Sequence, residues 1–335
     1  MPVRRRDRIP VRALTLSAAA AGAAAGVAIQ RRHARRISRD PEYARLTAPL
    51  RGRPVAVTSA DGTRLHAEAF GSEDGPTLVL AHGWTEQLSF WGPVIEVLSG
   101  RGMRLVAYDL RGHGRSAPAA GRDYSLERFG EDVEAVLAAG TREGERAIVV
   151  GHSLGAMAIA AWAEHHDVHA HASAAALVNT GLGDLISGHM LFGELAKWLN
   201  HPGASRLFLG SRARIPSFSS PVQQALIRYS AFGPAATAAE VAFYERMLIS
   251  CPADVRAACG VAMSDMDLWH SVSRLTIPTL VVAGERDRLT PPAHARRIAE
   301  TLPHLAALLV LPGTGHMGPL ERPRELADAL ARLGD

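Results

Sequence analysis

The sequence predicts an α/β protein: a mostly parallel, eight-stranded sheet with helices on both faces and a helical cap inserted late in the chain. Three observations predict it. From about residue 53 onward, short apolar runs of strand length alternate with amphipathic segments of helical period. The later runs are apolar throughout rather than alternating, as in parallel strands covered on both faces. Between residues 181 and 270 the alternation stops, and Leu, Met, Phe and Trp recur at helical spacing, as in Leu191–Leu199. At 335 residues, 47% apolar and 21% charged, the chain can bury one large core.

The first 40 residues stand apart as a basic tail. They hold ten arginines against Asp7 and Asp40, so the rest of the chain is net negative although the formal charge of the whole is +4. Inside the tail, residues 13–29 (ALTLSAAAAGAAAGVAI) carry no charge. As a helix they would span about 25 Å, slightly short of a bilayer core. The expectation is membrane association through this segment, with a signal anchor, a cleaved export signal and a free basic tail on a cytoplasmic protein all open. Five arginines flank the run on each side, so the positive-inside rule does not orient it.

The body then reads in order. Strands are expected at Val55–Thr58, Arg64–Phe70, Thr77–Ala81, Arg104–Tyr108, Ala147–Val150, Ala174–Val178, Thr279–Val282 and Ala306–Leu311, the first two joined by an Asp61-Gly62 hairpin turn. Helices are expected at Phe90–Leu98, Leu126–Ala139, Leu154–Glu164, Pro292–Leu302 and Arg324–Leu333, with Pro292 suited to a first helical turn. Two segments, 53–180 and 271–333, thus make one core, and 181–270 make the cap. Cys251 and Cys259 are too few for a disulfide framework or a cysteine zinc site and read as small core residues. No basic run interleaved with aromatics predicts a nucleic-acid partner. No HExxH, P-loop or strand-linked GxGxxG calls for a metal, nucleotide or flavin, so no cofactor is expected.

The chemistry-bearing signal is Gly151-His152-Ser153-Leu154-Gly155, which follows an apolar strand and precedes a helical segment. A serine hydroxyl becomes a useful nucleophile when it stands clear of its backbone, near a base and near donors for an oxyanion. A sharp strand-to-helix turn provides this, and flanking glycines let the turn close. The base is expected at His316, in the glycine-rich loop after the last strand. Asp287, at the end of the strand Thr279–Val282, is expected to orient that base, with Asp265 and Asp267 as competitors. The strand Thr77–Ala81 opens into His82-Gly83-Trp84, so the N–H groups of Trp84 and Leu154 are the expected oxyanion donors. His152 reads as a packing or hydrogen-bonding residue, because neighbours at a sharp turn point apart.

HGW at 82–84, DLRGHGRS at 109–116, GHSLG at 151–155, GERD at 284–287 and GTGHM at 313–317 occur together and in this order. Over residues 53–333 the chain resembles the α/β-hydrolase superfamily. It looks most like the branch of cofactor-free esterases, C–C bond hydrolases and serine haloperoxidases, a branch that also holds epoxide hydrolases and haloalkane dehalogenases with an aspartate nucleophile. The resemblance implies the order Ser153, Asp287, His316 and a structural role for Asp109, Arg111 and His113. Serine in place of aspartate implies acyl transfer rather than alkyl-ester chemistry. The expected substrate is a small apolar or lipid-like ester, with a C–C hydrolase, a perhydrolase and a non-catalytic binder on the same frame as alternatives.

Overall fold

Eight strands form one sheet in the order β1-β2-β4-β3-β5-β6-β7-β8, where β1 is Arg53–Thr58, β2 Arg64–Gly71, β3 Thr77–Ala81, β4 Arg104–Tyr108, β5 Ala147–His152, β6 Ala172–Val178, β7 Thr279–Gly284 and β8 Leu305–Leu311. The computed structural model describes residues 26–183, 185, 206, 207 and 209–334. Residues 13–25 of the uncharged tail segment and the run Leu191–Leu199 lie outside the described residues. β1 pairs antiparallel with β2 and β2 with β4, and all later pairings are parallel. Every expected strand is present within two residues of its expected bounds. Asp61-Gly62 makes the first turn, with Gly62 at φ +84° and the Asp61 carboxylate accepting the Thr63 N–H at 2.9 Å.

Among the described residues after 40, the helices of five residues or more are α1 (Pro41–Leu46), α2 (Gly92–Ser99), α3 (Leu126–Gly140), α4 (Leu154–His165), α5 (Pro221–Ala231), α6 (Ala238–Ser250), α7 (Ala253–Ser264), α8 (Trp269–Ser273), α9 (Pro292–Thr301) and α10 (Pro323–Ala331). α2 and α10 cover one face of the sheet, with Val94, Leu98, Leu326 and Leu330 buried against Leu78, Leu80 and Val150. α3, α4 and α9 cover the other, where Phe129, Val133 and Ile298 meet Val79, Val149 and Val281. α4 is buried from Leu154 to Ala163, which explains why its sequence is apolar all round. Caps fix the starts: Ser125 accepts from the Arg128 N–H, and Thr237 with Glu240 forms a capping box at α6.

Two features depart from the sequence expectation, the open stretch of β8 and the early start of the body. β8 is an edge strand whose Leu305–Leu308 stretch is exposed, although its composition reads as covered on both faces. The two cysteines, Cys251 capping α6 and Cys259 inside α7, are buried and unbridged, as expected of small core residues. The N-terminal segment also enters the body earlier than its charge implies. Residues 26–38 are helical, Ile37 and Leu46 are buried, and α1 packs on α6. Among the described residues no helix is long and apolar enough to cross a membrane.

Strand order reverses around β3: the chain leaves β3 for β4 on one side and returns to β5 on the other. The crevice outside the carboxyl ends of β3 and β5 is therefore the switch point, where open α/β sheets bind ligands. The loop after β4 buttresses this end. The Asp109 carboxylate accepts the Leu88 N–H at 2.6 Å and the Arg115 N–H at 2.9 Å. Arg111, fully buried, makes a two-pronged pair with Asp132 at 2.7 Å for each bond and reaches Asp61 at 2.8 Å.

Removing one partner of such a pair strands a buried charge, so Arg111→Met should lower unfolding free energy by about 3–5 kcal/mol. Replacing both residues, Arg111→Met with Asp132→Leu, should recover most of that loss. Urea unfolding of the two variants and the parent checks both expectations, and an unchanged midpoint for Arg111→Met would refute the pair's role.

Candidate active site

β5 ends at His152, α4 begins at Leu154, and Ser153 alone makes the turn. Its backbone sits at φ +50°, ψ −114°, a region that costs a non-glycine residue about 1–3 kcal/mol. Hydrogen bonds hold it there: the Ser153 N–H donates to the Val178 carbonyl at 2.9 Å, and its carbonyl accepts from the Ala156 N–H at 3.0 Å and the Thr180 hydroxyl at 3.0 Å. Gly155 makes the turn possible, since a Cβ there would lie 2.3 Å from the Ala81 carbonyl oxygen at the end of β3. The Ser153 side-chain hydroxyl has no hydrogen-bond partner among the described residues and lies at the wall of a cavity of about 100 Å³.

His316 lines the same cavity, in the loop that follows β8. Its Nδ1 lies 2.8 Å from Asp287 Oδ2, and its backbone N–H is pinned to the Ala231 carbonyl at 2.7 Å. With Nδ1–H donating to the carboxylate, Nε2 is left as the acceptor nitrogen. Asp287 is buried in the loop after β7 and is saturated with donors. Oδ1 accepts the Leu289 and Thr290 N–H groups, and Oδ2 accepts the Thr290 hydroxyl at 2.9 Å and Asn179 Nδ2 at 3.0 Å. Burial alone would raise this carboxyl group, but the His316 charge and these bonds outweigh it and hold it below the ordinary range. The competing acids stay away: Asp265 is exposed and paired with Arg206, and Asp267 is exposed beside the Trp269 N–H.

The loop after β3 lies against Ser153. A Cβ on Gly83 would come within 3.1 Å of the serine Cβ, so glycine lets this backbone approach. Neither the Trp84 nor the Leu154 N–H donates a hydrogen bond among the described residues. The Trp84 indole turns toward the insertion, donating to the Arg256 carbonyl on α7 at 3.0 Å. Apart from Glu86 and Thr290, the remaining cavity wall is mostly apolar: Met157 and Met317 come from the core, Leu185, Leu209 and Met263 from the insertion. The insertion also supplies Tyr244, whose hydroxyl lies 3.2 Å from that of Thr85.

Two residues of this site were not foreseen from sequence. Asn179 follows β6, bonds both Asp287 and the Gly315 carbonyl, and has φ +47°. A polar residue at a strand's carboxyl end was its signal, the same one that marked Asp287. Glu86 is the other. It is buried, accepts the Gly83 N–H at 2.5 Å, and lies 3.1 Å from Nδ1 of His152, whose Nε2–H donates to the His316 carbonyl at 2.9 Å. A lone carboxylate three residues past Gly83 in an otherwise uncharged loop was its only trace. His152 is thus the hydrogen-bonding residue that the sequence indicated. Asp109, Arg111 and His113 take the structural positions implied for them, outside the cavity.

Residues 76–323 match the α/β hydrolase fold family, and the chain belongs to it. It is 28% identical over 267 residues to a non-heme haloperoxidase of Rhodococcus erythropolis, covering 78% of this chain and 92% of that one. A Variovorax paradoxus protein that bears the name carbamate hydrolase is 30% identical over 276 residues, covering 80% and 97%. Among solved structures, a thermophilic esterase from Thermogutta terrifontis superposes with a TM-score of 0.67 at 20% identity, over 84% of this chain and 97% of that one.

The Glu86–His152 pair carries a pH signature. Burial would lower the His152 imidazole, but the adjacent Glu86 carboxylate and the bond to the His316 carbonyl raise it above the ordinary histidine value. A raised folded-state pKa gives stability that is complete below about pH 6.5 and fades as pH rises through the folded value. Glu86→Gln should therefore cost more stability at pH 6 than at pH 9, by about 1–3 kcal/mol. Urea unfolding of parent and variant at both pH values measures the difference, and an equal cost at both would show that the pair is not ionic.

Proposed function

We propose that this protein is a serine-dependent ester hydrolase in which Ser153 is the nucleophile, His316 the general base and Asp287 the group that orients the base. The observation that carries the reading is the meeting, at one apolar cavity, of a serine on a left-handed strand-to-helix turn and an imidazole bonded at 2.8 Å to a buried carboxylate. Ser153 Oγ attacks the ester carbonyl carbon while His316 Nε2 takes its proton. The carbonyl oxygen, now an anion, is received by the Trp84 and Leu154 N–H groups. The intermediate collapses to an acyl-serine as His316 returns the proton to the departing alkoxide. Water then repeats the cycle and frees the acid.

Each element has a physical reason. Two preset backbone donors contribute about 3 kcal/mol each to barrier lowering of this kind. Asp287, held ionised by its donors, keeps Nδ1–H toward itself and Nε2 free to accept. The apolar wall contributed by the insertion suits an apolar acyl or alcohol portion. The N-terminal segment is proposed to hold this hydrolase at a membrane, an uncharged run with polybasic flanks giving two membrane signals together.

Ser153→Ala should abolish p-nitrophenyl ester turnover by about 10⁴–10⁶-fold and eliminate fluorophosphonate labelling while the thermal unfolding profile persists. A folded variant that keeps more than a few per cent of activity would overturn the assignment. Asp287→Asn should reduce kcat by about 10⁴-fold, because the amide presents a donor to His316 and favours the wrong tautomer. Steady-state kinetics of that variant beside Asp265→Asn checks the choice of acid: a dead Asp265 variant with an active Asp287 variant would reverse it.

A further inference from the structure

Exposed large apolar side chains are unevenly placed on this molecule. Apart from Leu305 and Leu308 on the edge strand, all of those among the described residues fall in two segments, 27–29 and 207–229. On α5, Val222, Leu226 and Tyr229 follow at i, i+4 and i+7, forming one stripe that is 71%, 65% and 53% exposed. The opposite side of the helix, with Gln224, Ile227 and Ala231, is already buried in the protein. Folding therefore leaves the outward stripe unexplained. Phe218, just before α5, and Val27 and Ile29, on the N-terminal helix, are exposed as well.

The two segments are joined. His33 Nε2 lies 2.9 Å from Gln224 Oε1, and Val27, Arg31 and Arg35 share one surface concavity with Pro221 at the start of α5. Beside the apolar stripe, therefore, runs a basic one: Arg31, Arg32, Arg35, Arg36 and Arg39 are all exposed, with Asp40 the sole acid at their end. The surface also borders the candidate cavity. Exposed Leu207 is two residues from Leu209 of the cavity wall, and Arg288, stacked 4.5 Å over the Tyr229 ring, precedes wall residue Leu289.

We propose that the outer face of α5, together with the arginine-bearing helix 26–38, docks on an anionic lipid bilayer, so that the cavity takes its ester from the membrane surface. The lipid-ester part rests on the hydrolase reading above, whereas the docking does not. Apolar side chains fringed by arginines match a surface with an acyl boundary beneath anionic headgroups. A second copy fits less well, because two-fold pairing on this face would bring both arginine rows to one interface. In the sequence the uncharged residues 13–25 immediately precede this helix.

The test uses the full chain carrying Leu226→Cys labelled with a nitrobenzoxadiazole fluorophore, the native Cys251 and Cys259 being buried. Phosphatidylcholine vesicles with about one-third phosphatidylglycerol should shift the emission to the blue and raise its intensity severalfold, and pure phosphatidylcholine should do so much less. Unchanged emission while the chain floats with the vesicles would overturn the docking face, leaving the tail as sole anchor. A blue shift without lipid that grows with protein concentration would assign the face to a second copy instead and equally overturn it. In parallel, Val222→Glu with Leu226→Glu should leave turnover of a soluble short-chain ester within about twofold and cut turnover of an ester embedded in the anionic vesicles by about fivefold or more. Equal losses on both substrates would overturn the link between docking and substrate delivery. If no ester is hydrolysed, the hydrolase reading fails while the fluorophore still decides the docking.

Discussion

Three loops must meet at the carboxyl end of the sheet, and one run of hydrogen bonds sets their spacing. It starts at the Gly83 N–H after β3, passes through Glu86 and the His152 ring at the end of β5, and finishes at the His316 carbonyl after β8. The Glu86–His152 and His152–His316 contacts cross between loops fed by different strands, so none of the three can move without breaking a buried bond. The chemistry of the links constrains the protonation. A carbonyl only accepts, so Nε2 of His152 carries a proton, and the nearby carboxylate favours a second proton on Nδ1. With both nitrogens protonated, the imidazolium and the Glu86 carboxylate are neutral in sum. A carboxylate can thus stand at the wall of the cavity beside Ser153 without placing net negative charge where an oxyanion would form.

Four buried histidines among the described residues show how partners, not burial, divide the roles. His82 and His113 are pushed down by burial, His82 well below the ordinary value and His113 to about 4. Both are neutral links: His82 bridges the Gly83 carbonyl and the Leu110 N–H, and His113 bridges the Arg111 carbonyl and the Thr85 N–H. His152 has a carboxylate and moves the other way. His316 also has a carboxylate, but its second nitrogen belongs to a ring at the cavity wall, and that difference is why it is the proposed base. Glu321, pushed up to about 7 by burial, closes the loop from behind by accepting the Gly233 and Gly315 N–H groups.

The sheet was legible because its strands are short apolar runs cut by turn residues, and Ser153, Asp287 and His316 were legible because each follows such a run. The exposed edge at β8 was not, since a strand of all-apolar residues has lost the alternation that distinguishes a covered face from an open one. Glu86 was hidden for a different reason: its partners lie 66 residues away and on its own loop, and only the fold brings them together. Asn179 needed the β6–β7 pairing to meet Asp287, 108 residues on. The start of the body was misplaced by charge. Five arginines obscure the spacing of Gln30, His33 and Ile37, the less exposed side of the same helix.

α6 connects these levels. One side of the helix presents Tyr244 to the cavity, where it meets the loop after β3 through Thr85. Another presents Ala242, Glu245 and Ile249 to a hollow closed by Ile37 and Tyr43 of the N-terminal segment. Gln224 of α5 ties the arrangement together, donating to Glu245 at 2.9 Å while its carbonyl side faces His33. The segment that carries the basic charge and the wall of the candidate site are therefore opposite sides of one packed helix. Because packed interiors transmit displacement instead of absorbing it, the seating of the N-terminal helix on α6 bears directly on where Tyr244 stands in the cavity. The tail is peripheral in sequence but mechanically adjacent to the chemistry.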